Sequence, residues 1–238
     1  IDENGKIIAW EHLVIGTGGG LLASGAVPEY YDIPNQKLGV YSMDHGIRTK
    51  HWRAVAHGPN KFAIESFIDE IANDQKIDPL EFRLRMMNSE RAKKVVQTVA
   101  DMAEWSGLLE KDQAEKGIRV HKVWASLDAG LVVQPDNAIA QMEGAIVMGI
   151  GSVLKEQINI VNGAVQESNY HDYEILRIDE CPELIEVKII DSEAPPTGVG
   201  ESGIPIIAGA ISNAFARLSG VRLRHLPFTN DLIKEVLS

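Results

Sequence analysis

The sequence predicts an α+β fold, on three observations. Helical and strand-like periodicities both occur but do not alternate regularly, which speaks against a doubly wound α/β sheet. The helical segments carry interpretable start and stop residues. Hydrophobic residues make up 45% of the 238 residues, enough for a sizeable core.

In chain order, Asn4-Gly5 reads as a turn into a strand over residues 6–15. The glycine-rich stretch 16–20 reads as linker. The text to about residue 60 is irregular and reads as a long loop wrapping over another part of the protein. Residues 60–75 form a helix with Phe62, Phe67, Ile68 and Ile71 on one side. Asp78, Pro79 and Glu81 announce the next helix. A third, over 91–107, is aligned by Val95, Val99, Met102 and Ala103 and stops at Gly107. After a polar joint (110–117), residues 118–130 alternate as a strand. The helix over 135–157 is aligned by Ile139, Met142, Ile146, Ile150 and Val153. Its interior glycines, Gly144, Gly149 and Gly151, imply close approach of either a packed element or a cofactor. A hairpin turns at Asn162-Gly163, a strand covers 183–190, a helix covers 204–220, and 221–228 reads as a final strand.

Charge and composition exclude some functions. A net charge of -11 argues against nucleic acid as partner. No apolar run reads as long enough to span a bilayer. Cys181, the only cysteine, cannot form an internal disulfide or a thiolate cluster. His45, His51 and His57 lack helical metal-ligand spacing, and no protein metal ligand is expected. His171, Asp172 and Tyr173 read as structural, Cys181 as semi-buried, and the polar run at 74–78 as a helix end. The start at Ile1 leads us to expect more protein upstream.

The sharpest feature is PPTGVGESGIP (195–205), with Glu201 alone among three glycines and three prolines. Gly198, Gly200 and Gly203 match a dinucleotide fingerprint, but Pro195, Pro196 and Thr197 intervene after the strand, and Glu201 would sit where phosphate must. The nucleophile elbow fails because Ile204 stands where glycine is required. Two readings of Glu201 stay open from the residues alone. It either caps the following helix or is an aimed carboxylate acting as base.

Four stretches, 51–72, 127–157, 163–187 and 194–215, together resemble the C-terminal part of the molybdenum-binding subunit of molybdenum hydroxylases, the xanthine dehydrogenase and aldehyde oxidase family. They are most similar to the isoquinoline 1-oxidoreductase beta subunit group. The resemblance implies the α+β molybdopterin-binding fold over residues 1–238, with 1–117 and 118–238 as subregions. It implies oxidation of an aldehyde or N-heterocycle with oxygen from water, and it makes Glu201 the base. Arg53 and Val55 fall at the substrate pocket, where Val55 replaces an aromatic of many relatives. Gln141, Gly198 and Gly200 fall at the cofactor. The implied cofactors are molybdenum-molybdopterin, as a cytosine dinucleotide, and iron-sulfur clusters on a partner subunit. The implied partners are the remainder of the molybdenum-binding subunit, a small [2Fe-2S] subunit and a small-molecule substrate. The resemblance implies a bacterial source and leaves the compartment, periplasm or cytoplasm, open. Two departures stand out: Ala129 occupies a position where many relatives carry cysteine, and a glycine-rich turn and strand are missing near 117–118. The rival expectation is a non-catalytic, partner-binding piece without cofactor of its own.

Overall fold

The structure, a computed structural model, describes residues 1–47, 49–106 and 117–238. Strand β1 (Ala9–Gly16) pairs in parallel with β2 (Asn35–Ser42). Three helices follow: α1 (His57–Asp74), α2 (Pro79–Met86) and α3 (Glu90–Met102). β3 (Lys122–Leu127) leads into α4 (Pro135–Leu154) and a small hairpin, β4 (Ile160–Val161) and β5 (Ala164–Val165). β6 (Leu184–Ile189) pairs in parallel with β3, and α5 (Pro205–Ser219) and α6 (Asn230–Leu237) complete the chain. The mixture agrees with the α+β expectation.

The caps form for the reasons the residues suggest. Asp78 accepts the N–H groups of Leu80 at 2.9 Å and Glu81 at 3.1 Å, with Pro79 inside the first turn. Ser89 caps α3 through Ala92 N–H. α5 ends on Gly220 in the left-handed conformation. Asn162 and Gly163 take the paired positive φ values of a tight hairpin turn.

Two apolar clusters hold the elements. One joins Ile7, Trp10, Tyr31 and Ile33 to Ile64, Ile68, Phe82 and Met86. The other joins Met142, Ile146 and Ile150 of α4 to Ile207, Ile211 and Phe215 of α5. α1 serves both, because its Phe62 belongs to the second cluster. A nearly buried ionic set adds direction. Arg83 pairs with Glu65 at 3.1 Å and Asp69 at 3.4 Å, and Arg222 reaches Asp69 at 2.8 Å. Such a set orients α1, α2 and the segment after α5, since each charge would be costly unpaired.

Several expectations are corrected. The stretch after residue 16 is not all loop, since β2 lies within it and pairs with β1 along its whole length. Residues 221–228 form no strand. Pro227 has no N–H to offer a ladder, and Arg222 and Arg224 reach Asp69 and Glu70 instead. α6, capped by Thr229, was not anticipated. Phe67 is 48% exposed rather than core, though its ring meets Trp10 at 5.5 Å. α4, with 20 residues and a mean hydropathy of 1.2, does have the length and composition of a membrane span. Its Met142, Ile146 and Ile150 are nevertheless buried in the core, as in the central helix of a folded domain. The expected stop at Gly107 and the joint 110–116 lie outside the described residues.

The interior glycines divide. A Cβ on Gly149 would come within 3.0 Å of Ile207, and one on Gly151 within 2.8 Å of Glu156 and 3.5 Å of Leu176. Gly144 faces open space. Packing of α4 on α5 accounts for Gly149, and the approach of Glu156 and Leu176 for Gly151, but neither accounts for Gly144.

Candidate active site

Three separate segments meet beside the start of α5. The first is a turn ahead of α1. Ala54 and Val55 both have left-handed backbone, at φ 71° and 49°. Such a conformation costs a non-glycine residue about 1–3 kcal/mol, and a β-branched residue adopts it rarely. The turn closes through Val55 N–H to Trp52 O and His57 N–H to Ala54 O, both 2.9 Å. Ala54, 1% exposed, packs with Ala145 of α4 and with Ile204, so burial holds the strained turn in place.

The turn aims Arg53. Its Nε donates to Gly200 O at 2.6 Å, and its Nη2 donates to Gln141 Oε1 at 3.0 Å and to Gln141 O at 3.4 Å. One guanidinium thus joins α4 and the glycine loop, and the planar fork of arginine suits two acceptors at once. Arg53, Gln141 and Gly200, named separately from the sequence, come together here. Gln141 uses its oxygen on Arg53, and its amide nitrogen has no partner among the described residues. Val55 is close to Arg53 in the chain and half-buried.

The loop itself is pinned at both ends. At its start, Thr197 donates its N–H to Ala129 O at 2.9 Å and its hydroxyl to the same oxygen at 3.3 Å. At its end, Gly203 lies so close to α4 that a Cβ would fall 2.7 Å from Ala145 Cβ and 2.8 Å from Met142 O. Between the pins the loop is open. A Cβ on Gly198 or Gly200 would meet nothing within 4 Å. Among the described residues, the amide N–H groups of residues 198–203 have no protein acceptor.

Glu201 is exposed at the crest of this loop. Its backbone oxygen accepts Ile204 N–H at 3.2 Å. Its carboxylate has no hydrogen-bond or ionic partner among the described residues. The helix-capping reading fails, because the cap position of α5 is Ile204 and no side chain bonds there. The carboxylate is positioned by its backbone and left available.

This arrangement fits a group held by backbone donors and a carboxamide, as a pterin with its oxo and phosphate functions would be. The open space at Gly198 and Gly200 gives such a group room to approach the main chain.

Of the other groups noted in the sequence, His57 closes the Arg53 turn through its backbone N–H, and His45, Asp172, Tyr173 and Cys181 serve local structure away from it. His45 Nε2 meets Thr17 Oγ1 at 3.2 Å. Asp172 binds the N–H groups of Ser168 and Asn169, and Tyr173 donates its hydroxyl to Glu156 at 2.9 Å. Cys181 is half-buried and contacts Arg177 O at 3.4 Å. Sequence reasoning missed the parts played by Ala54, Thr197 and Gly203. For Gly203 a signal existed, as the third glycine of the loop. For Ala54 there was none.

Residues 90–182 match the family described as molybdopterin cofactor-binding domain. Over 225 residues the chain is 35% identical to the beta chain of isoquinoline 1-oxidoreductase from Brevundimonas diminuta, covering 83% of this chain and 29% of that protein. It is 30% identical over 113 residues to the large subunit of nicotine 6-hydroxylase from Paenarthrobacter nicotinovorans, covering 45% of this chain and 14% of that protein. The chain thus spans less than a third of these curated relatives. Among solved structures, quinoline 2-oxidoreductase from Pseudomonas putida 86 superimposes with a TM-score of 0.85 at 12% identity, over 99% of this chain and 61% of that one. The aldehyde oxidoreductase from Desulfovibrio desulfuricans superimposes with a TM-score of 0.81 at 14% identity, over 100% of this chain and 48% of that one. At such identities the superpositions establish the fold.

Proposed function

Because the chain belongs to the molybdenum hydroxylase family, the group of xanthine dehydrogenase and aldehyde oxidase, we propose that it forms part of the catalytic centre of an enzyme that oxidises an aldehyde or an N-heterocycle. The observation that carries this reading is the meeting of Arg53, Gln141 and Gly200 next to Glu201, whose carboxylate has no partner among the described residues. The balance of the reaction is simple. A substrate carbon gains an oxygen from water, and two electrons and two protons leave.

A molybdenum-pterin group would supply the acceptor for those two electrons. Gln141 would hold it through the free amide nitrogen, and the open backbone at Gly198 and Gly200 would lie against it. Glu201 takes the proton from the water-derived nucleophile as it attacks the electrophilic carbon. A carboxylate with no ion-pair partner among the described residues is suited to accept that proton, and the pinned loop keeps it aimed. Arg53 keeps the loop against α4 and presents its cationic edge to the substrate side, where positive charge favours the oxygen or ring nitrogen of a polarised substrate. Val55 leaves more room than an aromatic side chain would at that position.

The pocket is completed by the remainder of the molybdenum-binding subunit, and electrons leave through iron-sulfur clusters on a small [2Fe-2S] subunit. The pterin is a cytosine dinucleotide. Within the chain, 1–117 and 118–238 are subregions, each contributing most of one apolar cluster. Metal analysis with pterin release, on the complete native assembly captured through this chain, tests the proposal. Near-stoichiometric molybdenum is expected. Absence of molybdenum, in a host that loads a related enzyme, would overturn it.

A further inference from the structure

The entry to the glycine loop is moulded by a turn that the proposed chemistry does not itself use. Residues 128–130 close β3, and Asp128 there has only 8% of its side chain exposed. Its Oδ1 accepts Arg91 Nη2 at 2.6 Å and Gly130 N–H at 3.0 Å, and its Oδ2 accepts Arg91 Nε at 2.8 Å. Arg91 stands in the first turn of α3, so this fork ties α3 to the end of β3. Gly130 takes φ 70°, and a Cβ there would run into the carbonyl oxygens of Ala194 and Pro195. The turn then grips the loop. Leu131 N–H donates to Ala194 O at 2.9 Å, and Thr197 donates twice to Ala129 O.

We propose that Arg91 and Asp128 are a positioning pair for the loop that carries Glu201. Together they fix the 128–130 turn, the turn fixes Ala194 and Thr197, and Thr197 sets where the glycine segment begins. A Cβ on Gly198 or Gly200 would meet nothing within 4 Å, so neither position is packed, and among the described residues Gly200 is held only through its carbonyl oxygen on Arg53. The segment's placement has to come from the anchors: Arg53 and Gly203 at one end, this turn at the other. A carboxylate so nearly buried depends on its cation and its hydrogen bonds. Without Arg91, Asp128 turns toward water and releases Gly130 N–H. The catalytic consequence rests on the reading of Glu201 as base, whereas the anchoring of the loop does not.

The test uses the complete, molybdenum-loaded assembly with Arg91→Ala, Asp128→Asn and Arg91→Lys. Asp128→Asn keeps the size and one acceptor for Gly130, so it serves where Arg91→Ala fails to fold. Hydrogen exchange is read at the amides of Thr197 and Leu131, with α4 and α5 as internal references, alongside kcat, KM and molybdenum content. The expected result is exchange at both amides faster by about tenfold or more, with the helices unchanged. kcat falls by about tenfold to a hundredfold with KM and molybdenum content held, since misplacing a catalytic group acts on the chemical step. Arg91→Lys restores only part, because a single ammonium does not reproduce the fork. Unchanged exchange at Thr197 would overturn the proposal, as would exchange rising equally in every element, the mark of a merely structural ion pair. If the two amides loosen while Glu201→Gln retains full turnover, the anchor stands and the reading of Glu201 as base falls. If Glu201→Gln abolishes turnover but Asp128→Asn loosens the loop without lowering kcat, the positioning role falls and the base stands.

Discussion

Replacing each glycine of the 198–203 loop by alanine separates packing from ligand approach. At Gly203 the added Cβ would lie 2.7 Å from Ala145 Cβ, 2.8 Å from Met142 O and 3.2 Å from Ile146 N. None of these is the end of a flexible side chain, so α4 or the loop must shift. Overpacking of this kind costs about 1–3 kcal/mol. For a chain of this size each kcal/mol lowers Tm by about 2–4 °C. Gly198 and Gly200 differ, because an alanine Cβ there meets nothing within 4 Å and neither has a positive φ. Alanine at these two positions should be neutral or stabilise by up to about 1 kcal/mol, through the unfolded chain. The assay is thermal unfolding of the parent and the three variants side by side, followed by molybdenum content in the complete assembly. The expected pattern is loss of stability for Gly203→Ala only, and loss of molybdenum for Gly198→Ala and Gly200→Ala without loss of stability. If Gly203→Ala melts like the parent, the close contact with α4 is not what fixes this loop. If both outer variants load molybdenum normally, the open space above them is not where the cofactor lies.

Other outcomes follow from the same geometry. Arg53→Lys cannot reach Gly200 O and Gln141 Oε1 together. Losing one charge-assisted bond costs about 1.5 kcal/mol, so exchange of the 200–203 amides should rise about tenfold while α4 is unaffected, and no change would remove Arg53 from its clamping role. Phe82→Ala, at a fully buried ring, should cost about 3–5 kcal/mol in urea unfolding, and a loss below about 1 kcal/mol would contradict its place in the core. The N–H groups of Ser168 and Asn169 hold the Asp172 carboxyl down to about 2, from an ordinary 3.8. Because that value is lower in the folded state, the bonds support the 168–172 turn above 3.8 and are lost as pH falls through about 2. The amide shifts of Ser168 and Asn169 should therefore titrate with a midpoint near 2, and a midpoint at the ordinary value would refute the hydrogen bonding.

How legible each part was depends on whether its cause is local. Asp78-Pro79 and Gly220 mark helix ends through bonds made within a few residues, and the structure places them as read. β2 was missed because its partner β1 is distant in sequence. Lys37, Leu38, Gly39 and Val40 carry a weak alternation that only parallel pairing makes meaningful. The segment 221–228 was over-read for the converse reason. Its alternation of apolar and basic residues reflects Leu223 and Phe228 in the core and Arg222 on Asp69, with no ladder involved. α6 did carry a signal, Thr229 ahead of Leu232, Ile233 and Val236, in the helical spacing that a short tail still shows. At the site, Glu201 was conspicuous as a lone acid among glycines. Its link to Arg53 and Gln141 runs through backbone oxygens and left-handed residues, Ala54 and Val55, that sequence patterns do not encode.

The measurement closest to the central claim is turnover of Glu201→Gln in the complete, molybdenum-loaded assembly. Glutamine keeps the size of the side chain and removes the proton acceptor. Because the carboxylate of Glu201 bonds nothing among the described residues, the variant should fold, pack its loop and retain molybdenum and pterin as the parent does. The account predicts loss of turnover by about a hundredfold or more with the cofactor still bound. Turnover near that of the parent, with molybdenum at parental content, would contradict it.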